Sequence, residues 1–508
     1  MPLPKPLAPL TRAETSNYRD TSRHADVNAF IEALQLRGDR RLHVEDFGST
    51  PEGRSLPLLV LSGHGYFDPE AAHASGLPVV LVINGIHAGE VEGKEASLML
   101  VRDILDGHHG DLLERLTLVV VPLFNADGND RINSENRKLE IEKFSGQLGP
   151  DSGVGTRVNA AGINLNRDYM RQQAPEMRLL QARVAQRWNA HLSIDCHATN
   201  GSIHRFALTY DIPHTVESGR REPIDYMREQ LLPAVTAAVK ENEGLDTFYY
   251  GNFLRDEGGT GTGWITYTHH PRFGGNYRGL TNRLDLLLET YAYIPFDERV
   301  VVTYAFLRES LHFVAANGSA IVALLAQCQQ PPEQVAVRYR LQAFPDREVE
   351  ILTREPYTLQ GLPIKVMVPY IGQFVSEHTV SRPMAYAVPA HVASHLEKHG
   401  LQVQRPAQPT IVDADIATVI SLVSSAGREI LEANASPYLE CSYSRENRQL
   451  PADYFLAYTA QARGAIAVYL CEAGSDDGLL ACGLFEGAQA GMEFPVWRVH
   501  HIEAGGSE

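Results

Sequence analysis

Residues Val79–Leu100 read V-V-L-V-I-N-G-I-H-A-G-E-V-E-G-K-E-A-S-L-M-L, and the two halves of this stretch have different periods. Val79 to Ile83 is an apolar, β-branched run that predicts a buried strand, whereas from Glu90 to Ile104 the spacing becomes helical. The turn between them carries His87 and Glu90. Three residues apart on a tight loop, an imidazole nitrogen and a carboxylate can converge on one cation. A catalytic zinc site then needs a third protein ligand and an open position for water. A lone His-x-x-Glu is usually an exposed turn or a helix cap, so the pair acquires meaning only from partners elsewhere in the chain.

Working outward, helical spacing covers Ala25 to Leu36, and strand-like runs cover Arg41 to Val44, Leu56 to Ser62 and Leu116 to Pro122. The turn N-A-D-G at 125–128 opens a long polar segment to Asn159, a length typical of functional loops. A helix is predicted from Pro175 to Trp188, a buried strand over Leu192 to Cys196 with His197 at its end, a helix from Pro223 to Val239, a strand over Leu284 to Leu288 ending at Glu289, and an amphipathic helix from Arg299 to Ala316. Strands and helices alternating in this way indicate an α/β domain with a mixed, mostly parallel sheet covered by helices.

Past Gln329-Gln330-Pro331-Pro332 the pattern changes to short alternating runs, including Ala465 to Leu470 and Leu479 to Phe485, with one evident helix from Pro389 to Lys398. The reading is therefore a loosely held arm over 1–24, an α/β domain over 25–330 and a β-rich accessory region over 331–508, divisible at 405/406.

The 508 residues carry a net charge of −17 and no basic run, which argues against nucleic acid as a partner. No uninterrupted apolar run approaches a membrane span, so no membrane is expected. Five cysteines without a C-x-x-C pair make a disulfide framework unexpected. Together with an N-terminus lacking an apolar signal region, this points to the cytoplasm, with secretion of a processed form as the open alternative. Oligomeric state is not legible.

His87, His197 and Glu289 share one description: each follows the C-terminal end of an apolar strand, the edge of an open α/β sheet where ligands bind. Two imidazoles and Glu90 make the His2Glu set of catalytic zinc hydrolases, leaving Glu289 available as general base. Cys196 points to the face opposite His197 and reads as core. D-G-N-D at 127–130 reads as a turn rather than a calcium loop.

Over residues 20 to 317 the chain resembles the carboxypeptidase A-like zinc carboxypeptidases. The motifs that carry the resemblance are E-G-R-S-L at 52–56, H-A-G-E at 87–90, N-A-D-G at 125–128, G-I-N-L-N-R-D at 162–168, I-D-C-H-A-T-N-G at 194–201 and L-L-L-E-T at 286–290. The resemblance implies one Zn2+ on His87, Glu90 and His197, Glu289 as base, and Asn166 with Arg167 as a clamp for the substrate's terminal carboxylate, a task suited to a guanidinium fork. It also implies an oxyanion-stabilising arginine, Arg137 first and Arg131 second, and a substrate-closing tyrosine, Tyr267 with Tyr277 competing. Asn164 stands where many members have the aspartate that orients a zinc histidine; its side-chain oxygen can still accept from the imidazole. Side-chain preference is expected to be set between Gly258 and Tyr277, with His269, His270, Arg272 and Phe273 as candidates.

The implied activity is removal of a C-terminal residue from a peptide. A zinc acylase acting on small N-acyl amino acids, similar to aspartoacylase or succinylglutamate desuccinylase, is the nearest rival. A non-catalytic binding protein with a relic site is the third reading. In the first two cases the partner is a peptide or small amide substrate bearing a free carboxylate.

Overall fold

The computed structural model describes residues 8–254, 261–424 and 436–503. Its first ten strands in chain order are β1 (Leu42–Ser49), β2 (Ser55–Leu61), β3 (Val79–Asn84), β4 (Thr117–Val121), β5 (Leu192–Thr199), β6 (Leu208–Asp211), β7 (Thr247–Tyr249), β8 (Asn252–Leu254), β9 (Gly263–Ile265) and β10 (Leu284–Tyr291). Eight of them form one sheet in the order β1-β2-β4-β3-β5-β10-β6-β7. Its centre, β4-β3-β5-β10, is parallel throughout, while β1, β2 and β6 join by antiparallel pairing. Every residue of β3, β4 and β5 is buried. Parallel strands covered on both faces must be apolar throughout, which is why these segments read as continuous runs and not as alternations.

Helices Glu92–Leu105 and Phe296–Gln327 pack against one another and the sheet. The second is long and apolar enough to cross a membrane, yet Val300, Phe306, Leu307, Leu311 and Val314 are fully buried within the fold. Each contributes about 1.5–3 kcal/mol by leaving water. At its start Arg299 pairs with Glu92, both buried, so the two helices are registered by a charge pair inside the core.

Residues 8–24 are more firmly docked than a loose arm. Thr21 and Ser22 donate to the buried carboxylate of Glu95 over 2.7–2.8 Å, and Lys94 donates to the Ser22 carbonyl.

The later strands are β11 (Gln334–Glu355), β12 (Leu362–Ser381), β13 (Ala385–Pro389), β14 (Val403–Gln404), β15 (Ile411–Ser424), β16 (Pro437–Gln449), β17 (Tyr454–Tyr458) and β18 (Trp497–Ile502). The long hairpin β11-β12 continues into β9 and β8, with Tyr370 opposite Trp264. The last six strands make a separate sheet, β14-β17-β13-β18-β15-β16. Two expectations fail here. Gly464–Cys471 is a helix, not a strand; all eight residues are buried, and a run apolar on every side carries no period to separate the two. Leu479 to Phe485 is a succession of turns, in which Cys482 N–H bonds the Gly478 carbonyl and Gly483 takes a positive φ of 74°.

Candidate active site

The turn after β3 begins at Gly85, whose φ of +68° suits glycine, and brings His87 and Glu90 over the end of the sheet. His197 and Glu289 sit inside β5 and β10, two residues before the ends at Thr199 and Tyr291, and not beyond them as the sequence reading expected. These strands are parallel neighbours, and Glu289 is the register partner of His197. Paired residues of adjacent strands face the same side, so the pleat itself delivers the second carboxylate beside the second imidazole.

His87, Glu90 and His197 converge. His87 Nδ1 lies 3.2 Å from Glu90 Oε2, His197 Nδ1 lies 2.9 Å from the same oxygen, and the two Nδ1 atoms are 3.1 Å apart. Tetrahedral zinc with bonds near 2.05 Å needs ligand atoms about 3.3 Å apart, so the triangle fits that ion closely. The far sides of both rings have acceptors. Asn164 Oδ1 accepts from the backbone N–H of Asn166 and faces His87 Nε2, each at 3.0 Å; the N–H can only donate, which identifies the facing atom as oxygen and puts the imidazole proton on Nε2. His197 Nε2 lies 3.1 Å from Asp195 Oδ1, an ion-pair contact not aligned as a hydrogen bond. Both Nδ1 lone pairs are thereby directed to the common centre.

The electrostatics agree. Burial opposes charge on His197, but Asp195 and Glu90 outweigh it and raise the imidazole to about 10. Burial lowers His87 to about 4, with Arg157 assisting. One proton is thus held among three converging acceptors, where a cation would sit. Glu289 opens onto the adjoining pocket, yet burial, reinforced by Glu90, raises it to about 8.

A cavity of about 420 Å³ is lined by His87, Glu90, Glu289, Asn166, Arg167, Arg137 and Tyr267 among others. Arg137 donates to Glu90 Oε1 at 2.8 Å, to Gln147 at 2.8 Å and to the Ala198 carbonyl at 3.2 Å, from a backbone with φ of +50°. A non-glycine residue in that region stores strain that surrounding contacts must hold, a recurrent feature of functional sites. Arg131 instead pairs with Glu52 near the surface, outside the cavity. Arg167 makes no ion pair among the described residues: its guanidinium stacks on Phe273, 3.6 Å from the ring centre, and burial lowers it to about 9. Asp168 is occupied by the N–H groups of Gln173 and Ala174. Tyr267 lines the cavity, whereas Tyr277 is in the core with its hydroxyl 2.8 Å from His399 Nδ1.

Of the expected specificity residues, Phe273 lines the cavity. His269, His270 and Arg272 do not; His269 pairs with Asp476 and Arg272 with Asp477. Gly258 lies outside the described residues. His269, His270 and Asp476 do place potential ligand atoms together. The two rings are stacked with 24° between planes, so their in-plane lone pairs run side by side and do not converge. Asp127 and Asp130 pair with Arg54, consistent with a turn and not a calcium loop.

Sequence reasoning missed three residues. Asp195 was within reach, since it lies two positions before His197 and shares its face of the strand. Tyr250 and Arg157 also line the cavity, but one sits in an aromatic run and the other in a polar loop with no pattern to single it out.

Residues 27–206 match the family model described as zinc carboxypeptidase. Carboxypeptidase B of Astacus astacus is 24% identical over 156 residues, covering 30% of this chain and 45% of the relative, so the match spans less than half of that protein's length. Among solved structures, the metallo-carboxypeptidase of Burkholderia cenocepacia is 19% identical with a TM-score of 0.41, covering 57% of this chain and 69% of the other. That of Pseudomonas aeruginosa, solved with (2-guanidinoethylmercapto)succinic acid, is 18% identical with a TM-score of 0.38, covering 58% and 69%.

Proposed function

We propose that the chain is a zinc-dependent carboxypeptidase that hydrolyses the last peptide bond of a peptide with a free terminal carboxylate. The observation that carries this reading is one cavity bordered by His87 and Glu90 of a His-Glu-His cluster of tetrahedral dimensions, which also presents a separate carboxyl group and a buried guanidinium that makes no ion pair among the described residues. Zinc held by His87, Glu90 and His197 would supply Lewis acidity toward the scissile carbonyl and acidify water.

The chain's own groups do the rest. Arg167, with Asn166, binds the terminal carboxylate through its planar donor fork, the arriving anion offsetting the cost of holding a cation in a buried place. Asn166 Oδ1 is held by the Gly274 N–H at 2.9 Å, which fixes the clamp to the segment bearing Phe273. Arg137, fixed by three hydrogen bonds, presents cationic donors where negative charge develops on the carbonyl oxygen. Glu289 takes a proton from the attacking water and delivers it to the leaving amine nitrogen. Tyr267 bounds the cavity on the side of Phe273, with ring centres 5.6 Å apart.

The test is hydrolysis of N-blocked dipeptides compared with their C-terminal amides and with small N-acyl amino acids. Cleavage restricted to free-carboxylate peptides, abolished by chelation and restored by zinc, supports the reading. Preference for short N-acyl groups would favour the acylase, and equal hydrolysis by wild type and Glu289→Gln would remove the mechanism.

A further inference from the structure

The arginines sunk deepest in this chain face carboxylates: Arg102 pairs with Glu14 and Asp103, Arg278 with Asp195 and Asp285, and Arg299 with Glu92. Two others, far from the candidate active site in sequence and lining none of its cavity, break that pattern. Arg283, just before β10, and Arg463, just before the helix Gly464–Cys471, are half-buried. Both border one cavity of about 120 Å³, at the seam between the α/β domain and the region after residue 330. Neither makes an ion pair among the described residues. Arg283 donates through Nε alone, to Asn189 Oδ1 at 3.2 Å, and the polar partner of the Arg463 guanidinium is the Tyr277 hydroxyl.

No aspartate or glutamate among the described residues borders this cavity or the smaller one that adjoins it and shares Asn189, Thr281, Arg283 and Arg463. Burial lowers Arg283 to about 10, with the charge of Arg463 adding to the effect, and burial lowers Arg463 as well. Two like charges drawn out of water without a counter-ion are costly to hold, and an anion between them removes the cost. The cavity has room for several waters, hence for one tetrahedral oxyanion. Two planar donor forks match the oxygens of such an ion, and Asn189, whose Oδ1 is taken by Arg283, keeps its amide N–H groups to donate. A halide, with one charge and no directed acceptors, matches the pair poorly. We propose that Arg283 and Arg463 form a binding site for a phosphate group, free or carried as a monoester, separate from the candidate active site. The ligand takes one guanidinium from each part of the chain and so fastens the region after residue 330 to the α/β domain.

The experiment titrates inorganic phosphate, phenyl phosphate and chloride into the full chain by calorimetry, using wild type, R283Q, R463Q and R167Q, with thermal denaturation of the same samples. Wild type is expected to bind one phosphate per chain with Kd at or below about 1 mM and chloride at least about tenfold more weakly. R283Q and R463Q should each raise the phosphate Kd about tenfold or more, the loss of one charge-assisted pair, while R167Q binds as wild type does. Phosphate should raise the thermal midpoint of wild type, as a ligand of the folded state must, and leave that of R283Q and R463Q nearly still. Tighter binding of inorganic phosphate identifies the free ion as ligand; tighter binding of phenyl phosphate identifies a monoester. A wild-type Kd above about 1 mM, an affinity unchanged in R283Q and R463Q, a loss in R167Q instead, or equal affinity for chloride would each overturn the proposal. Should either variant fail to fold, wild-type crystals soaked in selenate decide: an anomalous selenium peak between the two guanidinium groups is expected, and its absence overturns the site. None of these measurements uses peptide hydrolysis, so the carboxypeptidase reading is tested separately.

Discussion

Glu289 and His197 are register partners on adjacent parallel strands, so a candidate base and a candidate metal ligand are held by the hydrogen-bond ladder of the sheet and not by mobile loops. Such placement fixes their separation through the stiffest part of the fold. Replacing Glu289 by Gln keeps shape and removes the basic oxygen. The expected result is a loss of about 10²- to 10⁴-fold in kcat with zinc content unchanged, measured by steady-state kinetics and metal analysis on the same sample.

Proton release on metal binding follows from the two imidazoles. With His197 raised to about 10 and His87 lowered to about 4, the cluster at pH 7 carries a proton on His197 and none on His87. A metal needs the neutral imidazole, so binding expels at least one proton. Affinity should rise about tenfold per pH unit while His197 is the group displaced. Calorimetry of zinc binding in two buffers of different ionisation enthalpy reads that number directly; zero protons released would contradict these ionisation states.

Arg137 and Arg131 separate cleanly by position. Arg137→Ala should lower kcat by about 10²- to 10³-fold, the cost of removing an oxyanion donor. Arg131→Ala removes an exposed pair with Glu52 and should leave both kcat and KM near wild type.

Tyr267→Phe and Tyr277→Phe should move different quantities. The first removes a hydroxyl from the cavity and changes kinetics. The second deletes the buried bond to His399, costing about 1 kcal/mol of stability with little kinetic effect. Thermal denaturation beside an activity assay separates them.

Asn164→Asp puts a full negative charge 3.0 Å from His87 Nε2. It should make that imidazole a stronger donor, raising zinc affinity and shifting the pH profile. No change in either quantity would mean that the neutral amide already does all that the position requires.

What was legible in the sequence had a strong periodic or spacing signal. The runs that became β3, β4, β5 and β10 are apolar because both their faces are covered, and each ligand candidate lies in or just after one of them. Boundaries were less legible: His197 and Glu289 looked like strand-end residues because a polar residue interrupts the apolar run, although the backbone ladder continues for two more positions. The helix Gly464–Cys471 is apolar on all sides and has no period. Arg157 shows the other limit, since its meaning comes from a fold that returns a polar loop to His87, 70 residues earlier. The specificity candidates His269 and Arg272 failed for a similar reason, their partners being aspartates more than 200 residues away, whereas His270 is engaged by Thr268 two residues earlier.

Everything proposed for the site depends on one ion sitting among His87, Glu90 and His197. Anomalous diffraction at the zinc edge from zinc-soaked crystals locates it. A single strong peak about 2.0–2.2 Å from both Nδ1 atoms and a Glu90 oxygen, with Glu289 across the cavity, is expected. A peak elsewhere, or none at saturating zinc, would mean that these residues do not form a metal site.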